Sequence, residues 1–255
     1  MSVEALYRYP VKGLSPERLE AATLEAGAFF PGDRLFALEN GRSQFDPASP
    51  SFQPKTRFLM LMKNAGLAQL TTRYDDASGI LSIAREDRIL VRGDLRAPEG
   101  RAAIEACLEQ HCAGELRGPV RLLSASPGFR FTDSIRSGFV SVLNLASVRD
   151  LERHAGQEID PLRFRSNVHV EGWEPWVEEA MAGRRLSIGA ACVKVLKTIE
   201  RCPATHVDPA TGRRDLDVVD ILRQAYGRQT CGIYVSVVEA ATILPGDEVG
   251  FADLL

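Results

Sequence analysis

Cys202 directly follows Arg201 and opens a polar, turn-rich stretch, Arg201-Cys202-Pro203-Ala204-Thr205-His206-Val207-Asp208-Pro209-Ala210-Thr211-Gly212. A thiol held beside a guanidinium is biased toward thiolate, the form that attacks electrophiles and binds soft metals. Pro203 and Pro209 stiffen the segment, and Asp208-Pro209 and Thr211-Gly212 are turn formers. The loop is therefore expected to leave a strand and cross the surface. Most free cysteines pack as small hydrophobes, and Cys192, in Ala190-Ala191-Cys192-Val193, reads that way. Cys107 and Cys112 fall on an expected helix, but a five-residue separation sets them roughly 140° apart around its axis. They cannot form one ligand face. Cys231 opens the last long strand, and its role stays open.

Five cysteines, an odd number with no C-x-x-C pair, argue against a disulfide framework and against a structural zinc site. Cys202 and His206 have a C-x3-H spacing, but no second ligand pair accompanies them. The N-terminal residues Met1–Tyr9 lack an apolar h-region and a small-residue cleavage site. Apolar runs such as Phe58-Leu59-Met60-Leu61-Met62 are far too short to span a bilayer. A soluble, reducing compartment, the cytoplasm, is expected. A net charge of -3 gives no electrostatic reason to expect nucleic acid or an anionic membrane as partner. Neither G-x-G-x-x-G nor G-x(4)-G-K-[ST] occurs, which excludes nucleotide loops of those kinds.

Several cations stand next to turn formers at expected strand ends. Lys12 follows Tyr9-Pro10-Val11, Arg34 follows Pro31-Gly32-Asp33, Arg165 lies in Arg163-Phe164-Arg165-Ser166-Asn167, and Arg201 precedes Cys202. Singly, such residues are usually solvated. Together they suit an anion, because guanidinium forks grip phosphate oxygens in pairs and lysine adds a point charge.

The elements that must position them are mostly short strands. Segments 3–9, 34–39, 69–74 and 80–83 are rich in β-formers and bounded by turn residues. A helix is predicted over Pro98–His111, and Gly114 and Gly118-Pro119 read as a connection. Beyond it come a strand at Phe139–Leu143, a short helix capped by Ser147 and ending near Gly156, and strands at 163–170, 184–188, 191–198 and 232–239. A helix over 216–226 separates the last two strands, and Gly246–Val249 closes the chain. At 255 residues, 45% hydrophobic, the length allows two modules or one large β domain. The fold class expected is mainly β with helical insertions, a β-barrel-rich architecture without alternating βαβ units.

The chain resembles the MOSC-domain family, and within it the two-part type to which the mitochondrial amidoxime-reducing component and its bacterial relatives belong. The matching pieces are Tyr9-Pro10-Val11-Lys12, Gly32-Asp33-Arg34, Phe164-Arg165-Ser166-Asn167, Arg201-Cys202 through Gly212, Gly232-Ile233-Tyr234 and Pro245-Gly246-Asp247-Glu248-Val249. They occur in the family's order. Departures are Gly13 for a serine after the lysine, Ser166 for proline, His206 for threonine, and a poor match over Gln44–Lys55.

The resemblance implies an N-terminal MOSC β-barrel-like region over residues 1–117 and a MOSC domain over 118–255. It implies molybdenum cofactor, with Cys202 as metal ligand and catalytic centre. Lys12, Arg34, Asn144, Arg165, Asn167 and Arg201 would hold the pterin, with Tyr234 near the site and Asn144 contacting through its backbone. Two activities of different class follow. One is reduction of N-hydroxylated small molecules. The sequence has no C-x(4)-C-x(2)-C iron–sulfur pattern, so electrons would come from a separate ferredoxin-, flavoprotein- or cytochrome-type donor. The other is carriage or delivery of the cofactor or of sulfur. A MOSC fold that has lost its cofactor is a third outcome.

Overall fold

Alternation builds the main sheet. Along Ala191–Glu200, Ala191, Val193, Val195 and Ile199 are buried while Lys194 and Glu200 face outward, and Thr230–Glu239 repeats the pattern with Cys231, Ile233, Val235 and Val237. A period of two allows such strands to serve one core face. The computed structural model describes residues 1–134 and 138–252. Its largest sheet has eight strands in the order Val249–Phe251, Arg185–Ile188, Ala191–Glu200, Thr230–Glu239, Val140–Asn144, Val168–Glu171, Ser2–Arg8 and Glu17–Leu19. Neighbours are antiparallel except Val140–Asn144 and Val168–Glu171, which run parallel.

The sheet closes on itself. Leu6–Arg8 pair with Glu17–Leu19, while the start of the same strand turns to the other end of the sheet. There Val3 N donates to Asp247 O (2.8 Å), Gly246 N to Val3 O (2.7 Å) and Val249 N to Met1 O (2.8 Å). Closure removes the open edge. The barrel so formed is filled by residues from both ends of the chain, including Leu6, Leu24, Phe30, Val142, Val168, Val193, Ile233 and Val235.

Three α-helices occur among the described residues: α1 (Pro98–His111), α2 (Leu145–Ala155) and α3 (Val218–Tyr226). A second core joins α1, through Ile104 and Leu108, to the sheet of Thr71–Asp75, Ile80–Arg85 and Arg88–Asp94 and to the pair Phe36–Asn40 with Val120–Ser124. Val207, from the loop that begins at Cys202, is buried in this core too. Helices α2 and α3 form a third cluster with Ile159, Phe164 and Cys231. The architecture is mainly β with helical insertions, as the sequence led us to expect.

Two local expectations need correction. Residues 163–170 do not form one strand: Pro161–Phe164 is a 3₁₀ turn, Arg165 is left-handed, and the strand starts at Val168. Asp160 initiates that turn by accepting from Leu162 N, with Pro161 fixed at its first position. Helix α2 is capped by Asn144, whose side chain accepts from Ala146 N at 3.0 Å. Ser147 lies within the helix and donates to Glu178 instead. The short strands Ala22–Leu24, Arg88–Asp94 and Val120–Ser124 were not anticipated.

Candidate functional site

A cleft of about 630 Å³ lies where the barrel meets the second core. Lys12, Arg34, Arg165, Arg201, Cys202 and Tyr234 all line it. Lys55, Arg163 and Lys197 join them, giving seven cationic side chains against two carboxylates, Asp133 and Glu200, among the described residues. In a chain of net charge -3, that concentration of positive charge gives the cleft a local field of the sign that attracts anions.

The cations differ in what they are free to do. Arg201 is a strut: its Nε donates to Cys231 O (2.8 Å), Nη1 to Phe164 O (2.7 Å) and Nη2 to Ser166 Oγ (3.5 Å). Burial pushes its pKa down, and the carbonyls absorb its donors. Gly232 makes room for it, because a Cβ there would stand 2.6 Å from Val142 O and 3.1 Å from Arg201 Nη2. Lys12 is tied to Asp133 and donates to Phe131 O at 3.1 Å. Burial lowers its pKa against the pull of Asp133. Gly13, at φ +86°, turns the chain behind it where a Cβ would meet Leu59 O at 2.8 Å.

Arg34 and Arg165 form a pair. Both are left-handed, at φ 49° and 52°, a region that non-glycine residues seldom adopt and that clusters at functional sites. Both guanidinium groups lie over the buried Tyr9 ring, at 5.0 and 4.3 Å from its centre. Arg34 is ion-paired to Asp33 and donates Nη2 to Arg165 O at 3.1 Å. Burial opposes its charge, but Asp33 outweighs burial and raises its pKa. Arg165 has no carboxylate partner among the described residues. Burial pushes its pKa down to about 10, so it remains cationic at neutral pH. Its fork makes no side-chain hydrogen bond or ion pair among the described residues.

Cys202 is half-buried and precedes the 3₁₀ turn Pro203–His206. Its carbonyl accepts from Thr205 N (3.0 Å) and Thr205 Oγ1 (2.9 Å). Lys55 lies 3.8 Å from Asp133 and faces Cys202 across the cleft lining. Burial weighs against the Lys55 charge, yet Asp133 and Cys202 hold its pKa raised. The loop beyond Cys202 is fastened from two sides. Buried Arg163 pairs with Asp208 (3.2 Å) and Asp215 (2.8 Å) and donates to His206 O (3.2 Å). Arg214 donates to Leu61 O (2.7 Å), Met62 O (2.8 Å) and Pro203 O (3.1 Å). His206 turns toward Asp217, 3.0 Å away, and does not join Cys202. No group of three or more His, Cys, Asp or Glu side chains that could hold a metal occurs among the described residues.

Asn144 and Asn167 do not line the cleft. The Asn144 amide donates to Glu174 O (2.9 Å) and to the buried Glu178 carboxylate (2.8 Å). Asn167 accepts from Ser141 Oγ (2.7 Å) and donates to Tyr7 O (3.1 Å). It reaches the cleft only through Ser141, which does line it. Tyr234 packs against Phe139, 4.4 Å between ring centres, and burial raises its pKa.

Lys55, Asp133, Lys197 and Arg163 were not singled out from sequence. Lys197 carried a signal in hindsight, as an outward-facing residue just before Arg201 on the strand Ala191–Glu200. Lys55 opens the 3₁₀ turn Lys55–Arg57 and Asp133 lies in an irregular segment, neither with a motif around it.

Residues 136–250, which carry Cys202, Arg165 and Tyr234, match the model of the MOSC domain. The chain carries a MOSC domain. Two curated relatives are similar over part of it. A molybdenum cofactor sulfurase of Caenorhabditis briggsae is 37% identical over 98 residues, 37% of this chain and 14% of that protein. One of Caenorhabditis elegans is 34% identical over 115 residues, 42% of this chain and 16% of that protein. The chain thus spans about a sixth or less of the length of these relatives. Among solved structures, the YUAD protein from Bacillus subtilis aligns over 97% of this chain and 92% of its own, at 13% identity and TM-score 0.45. YiiM from Geobacillus stearothermophilus aligns over 45% and 54%, at 18% identity and TM-score 0.36. No helix among the described residues is long and apolar enough to cross a membrane.

Proposed function

We propose that the cleft binds molybdenum cofactor and that the protein is a reductase of N-hydroxylated small molecules, fed with electrons by a separate donor protein. The observation that carries this reading is the juxtaposition of the Cys202 thiol with the uncommitted Arg165 fork in one cation-lined cleft. A metal here would find one protein thiolate and no further cluster of protein ligands among the described residues. It would draw its remaining ligands from the group it arrives with, and a pterin dithiolene bearing a phosphate has that composition. Arg165 offers two parallel donors to such a phosphate, with Lys12, Arg34 and Lys197 adding charge. When bound, the cofactor supplies the two-electron oxygen-atom chemistry.

The residues of the chain do the rest. Cleaving an N–O bond to give N–H and water consumes two electrons and two protons. The Lys55 ammonium, kept charged beside Cys202, is a proton source at that position, and Asp133 sets its charge and its orientation. Rigid fastening of the Cys202 loop through Arg163 and Arg214 holds the thiol in place.

A second reading is delivery of the cofactor or of sulfur. It is favoured by the names of the curated relatives, which are molybdenum cofactor sulfurases. Metal analysis and absorption spectra of protein from a cofactor-competent host, followed by benzamidoxime with an artificial electron donor, separate the two. Metal with turnover supports the reductase, and metal without turnover supports delivery. Protein purified without metal or turnover defeats both.

A further inference from the structure

Beside the cationic cleft lies a second cavity of quite different character. It holds about 200 Å³ and is walled by five phenylalanines: Phe29, Phe52, Phe58, Phe129 and Phe131. Phe131 meets Phe58 and Phe129 edge-on, with ring centres 5.6 and 5.3 Å apart. Phe58 and Phe131 are buried, whereas Phe52 is 41% exposed at the rim. The two cavities share Thr132 and Ser134. Other contacts join them: Lys12 Nζ lies over the Phe58 ring at 6.0 Å and donates to Phe131 O, and Phe29 packs on Phe139 of the cleft at 5.2 Å.

We infer that this pocket receives the aryl group of the substrate whose reacting end lies in the cleft, so that the protein selects aromatic over small aliphatic compounds. The inference rests on the reductase reading for the identity of the reacting group. Three observations support the choice of occupant. A cavity of about 150 Å³ lined by apolar side chains suffices for benzene, so this one accepts a six-membered ring without a long tail. Its walls present ring edges and faces, which pair with another ring in offset or edge-on geometry. Its lining meets that of the cleft at Thr132 and Ser134, which places the ring next to the cleft that holds Cys202. The charged residue of the lining is Arg130, whose Nε is buried without a partner. A ring bearing a hydrogen-bond acceptor fits beside it, and a ring bearing a cation does not.

Two measurements test this. The first is the ratio of kcat/KM for benzamidoxime to that for acetamidoxime, in wild type, Phe52→Leu and Phe52→Asp. A carboxylate at the rim opposes burial of an aryl group. Phe52→Asp is therefore expected to lower the ratio about tenfold, and Phe52→Leu to keep it. The second is saturation-transfer NMR with benzyl alcohol, expected to show transfer in wild type and Phe52→Leu and little in Phe52→Asp. Because Phe52 is exposed, neither substitution should unfold the chain. Equal ratios in all three proteins, or benzyl alcohol transfer that is absent from wild type or unaffected by Phe52→Asp, would overturn the pocket. Failure to turn over either amidoxime would instead remove the reductase reading, and the NMR arm alone would then decide the pocket.

Discussion

The Arg165 guanidinium lies 4.3 Å above the ring of Tyr9, and the ring's hydroxyl is buried without a hydrogen-bond partner. The ring thus serves Arg165 and Arg34 as a platform, while its own polar end gains nothing. Desolvating a hydroxyl without a partner costs about 1–3 kcal/mol. Tyr9→Phe keeps the ring under both arginines and removes that penalty. It is expected to raise the stability of the protein by about 1 kcal/mol in urea titration. A loss of stability would show that the hydroxyl has a partner after all.

Arg165→Lys keeps the charge and loses the fork. If the fork holds a phosphate, occupancy by the pterin should fall at least several-fold. A charge-assisted hydrogen bond contributes about 1.5–3 kcal/mol, and each 1.4 kcal/mol is about tenfold in affinity. Apo-protein stability should be nearly unchanged, since Arg165 makes no side-chain hydrogen bond to the fold. Pterin content after gentle purification decides it, with Arg73→Lys on the strand Thr71–Asp75 as the control.

Arg201→Lys should behave in the opposite way. Its guanidinium satisfies the carbonyls of Phe164 and Cys231, and one ammonium cannot span both. Breaking a buried network of this kind is expected to cost about 2–4 kcal/mol, visible as a lower melting temperature whether or not a cofactor is present. A variant with wild-type stability would mean that Arg201 is not a strut.

Cys202→Ala should abolish metal-linked absorption and any reductase activity, whereas Cys192→Ala should leave both intact. Full activity with unchanged sulfur coordination in the Cys202 variant would remove the thiolate from the site.

His169 gives a pH dependence. It is buried, its Nε2 lacks a partner, and burial lowers its pKa to about 4. The unfolded chain takes up this proton near pH 6.5, so between pH 6.5 and 4 it binds more protons than the folded chain. Stability is then complete above about pH 6.5 and falls as the pH drops toward 4, by roughly 3 kcal/mol in all. His169→Phe should flatten that part of the profile of melting temperature against pH.

The sequence was legible wherever a side chain's role is set by its neighbours along the chain. Alternation along Ala191–Glu200 and Thr230–Glu239, the helix α1 and the turn chemistry around Asp208 were all readable. So was the Arg201-Cys202 motif, and Lys12, Arg34 and Arg165, expected together at strand ends, do line one cleft. The difference between Arg165 and Arg201 was not readable, because it depends on which carbonyls and carboxylates arrive from distant segments. Lys55 and Asp133 were invisible for the same reason, being brought together across 78 positions of chain by loops without periodicity. Asn167 shows the converse. Its place in a motif suggested contact with a ligand, and in the structure its amide accepts from Ser141 and donates to Tyr7 outside the cleft lining.

The hydrogen bonds of Met1–Val3 to 246–249 set a limit on how this protein can be divided. A fragment cut to the stretch that matches the MOSC domain would lack Ser2–Arg8, the strand that fills the gap between Val168–Glu171 and the end of the chain. Its barrel would be open, with two unpaired strand edges and the faces of Val142, Val168 and Ile233 exposed, a state prone to association. It would also lack Lys12, Arg34 and Lys55, and with them one wall of the cleft. The two ends of this chain therefore cannot be exchanged independently of each other.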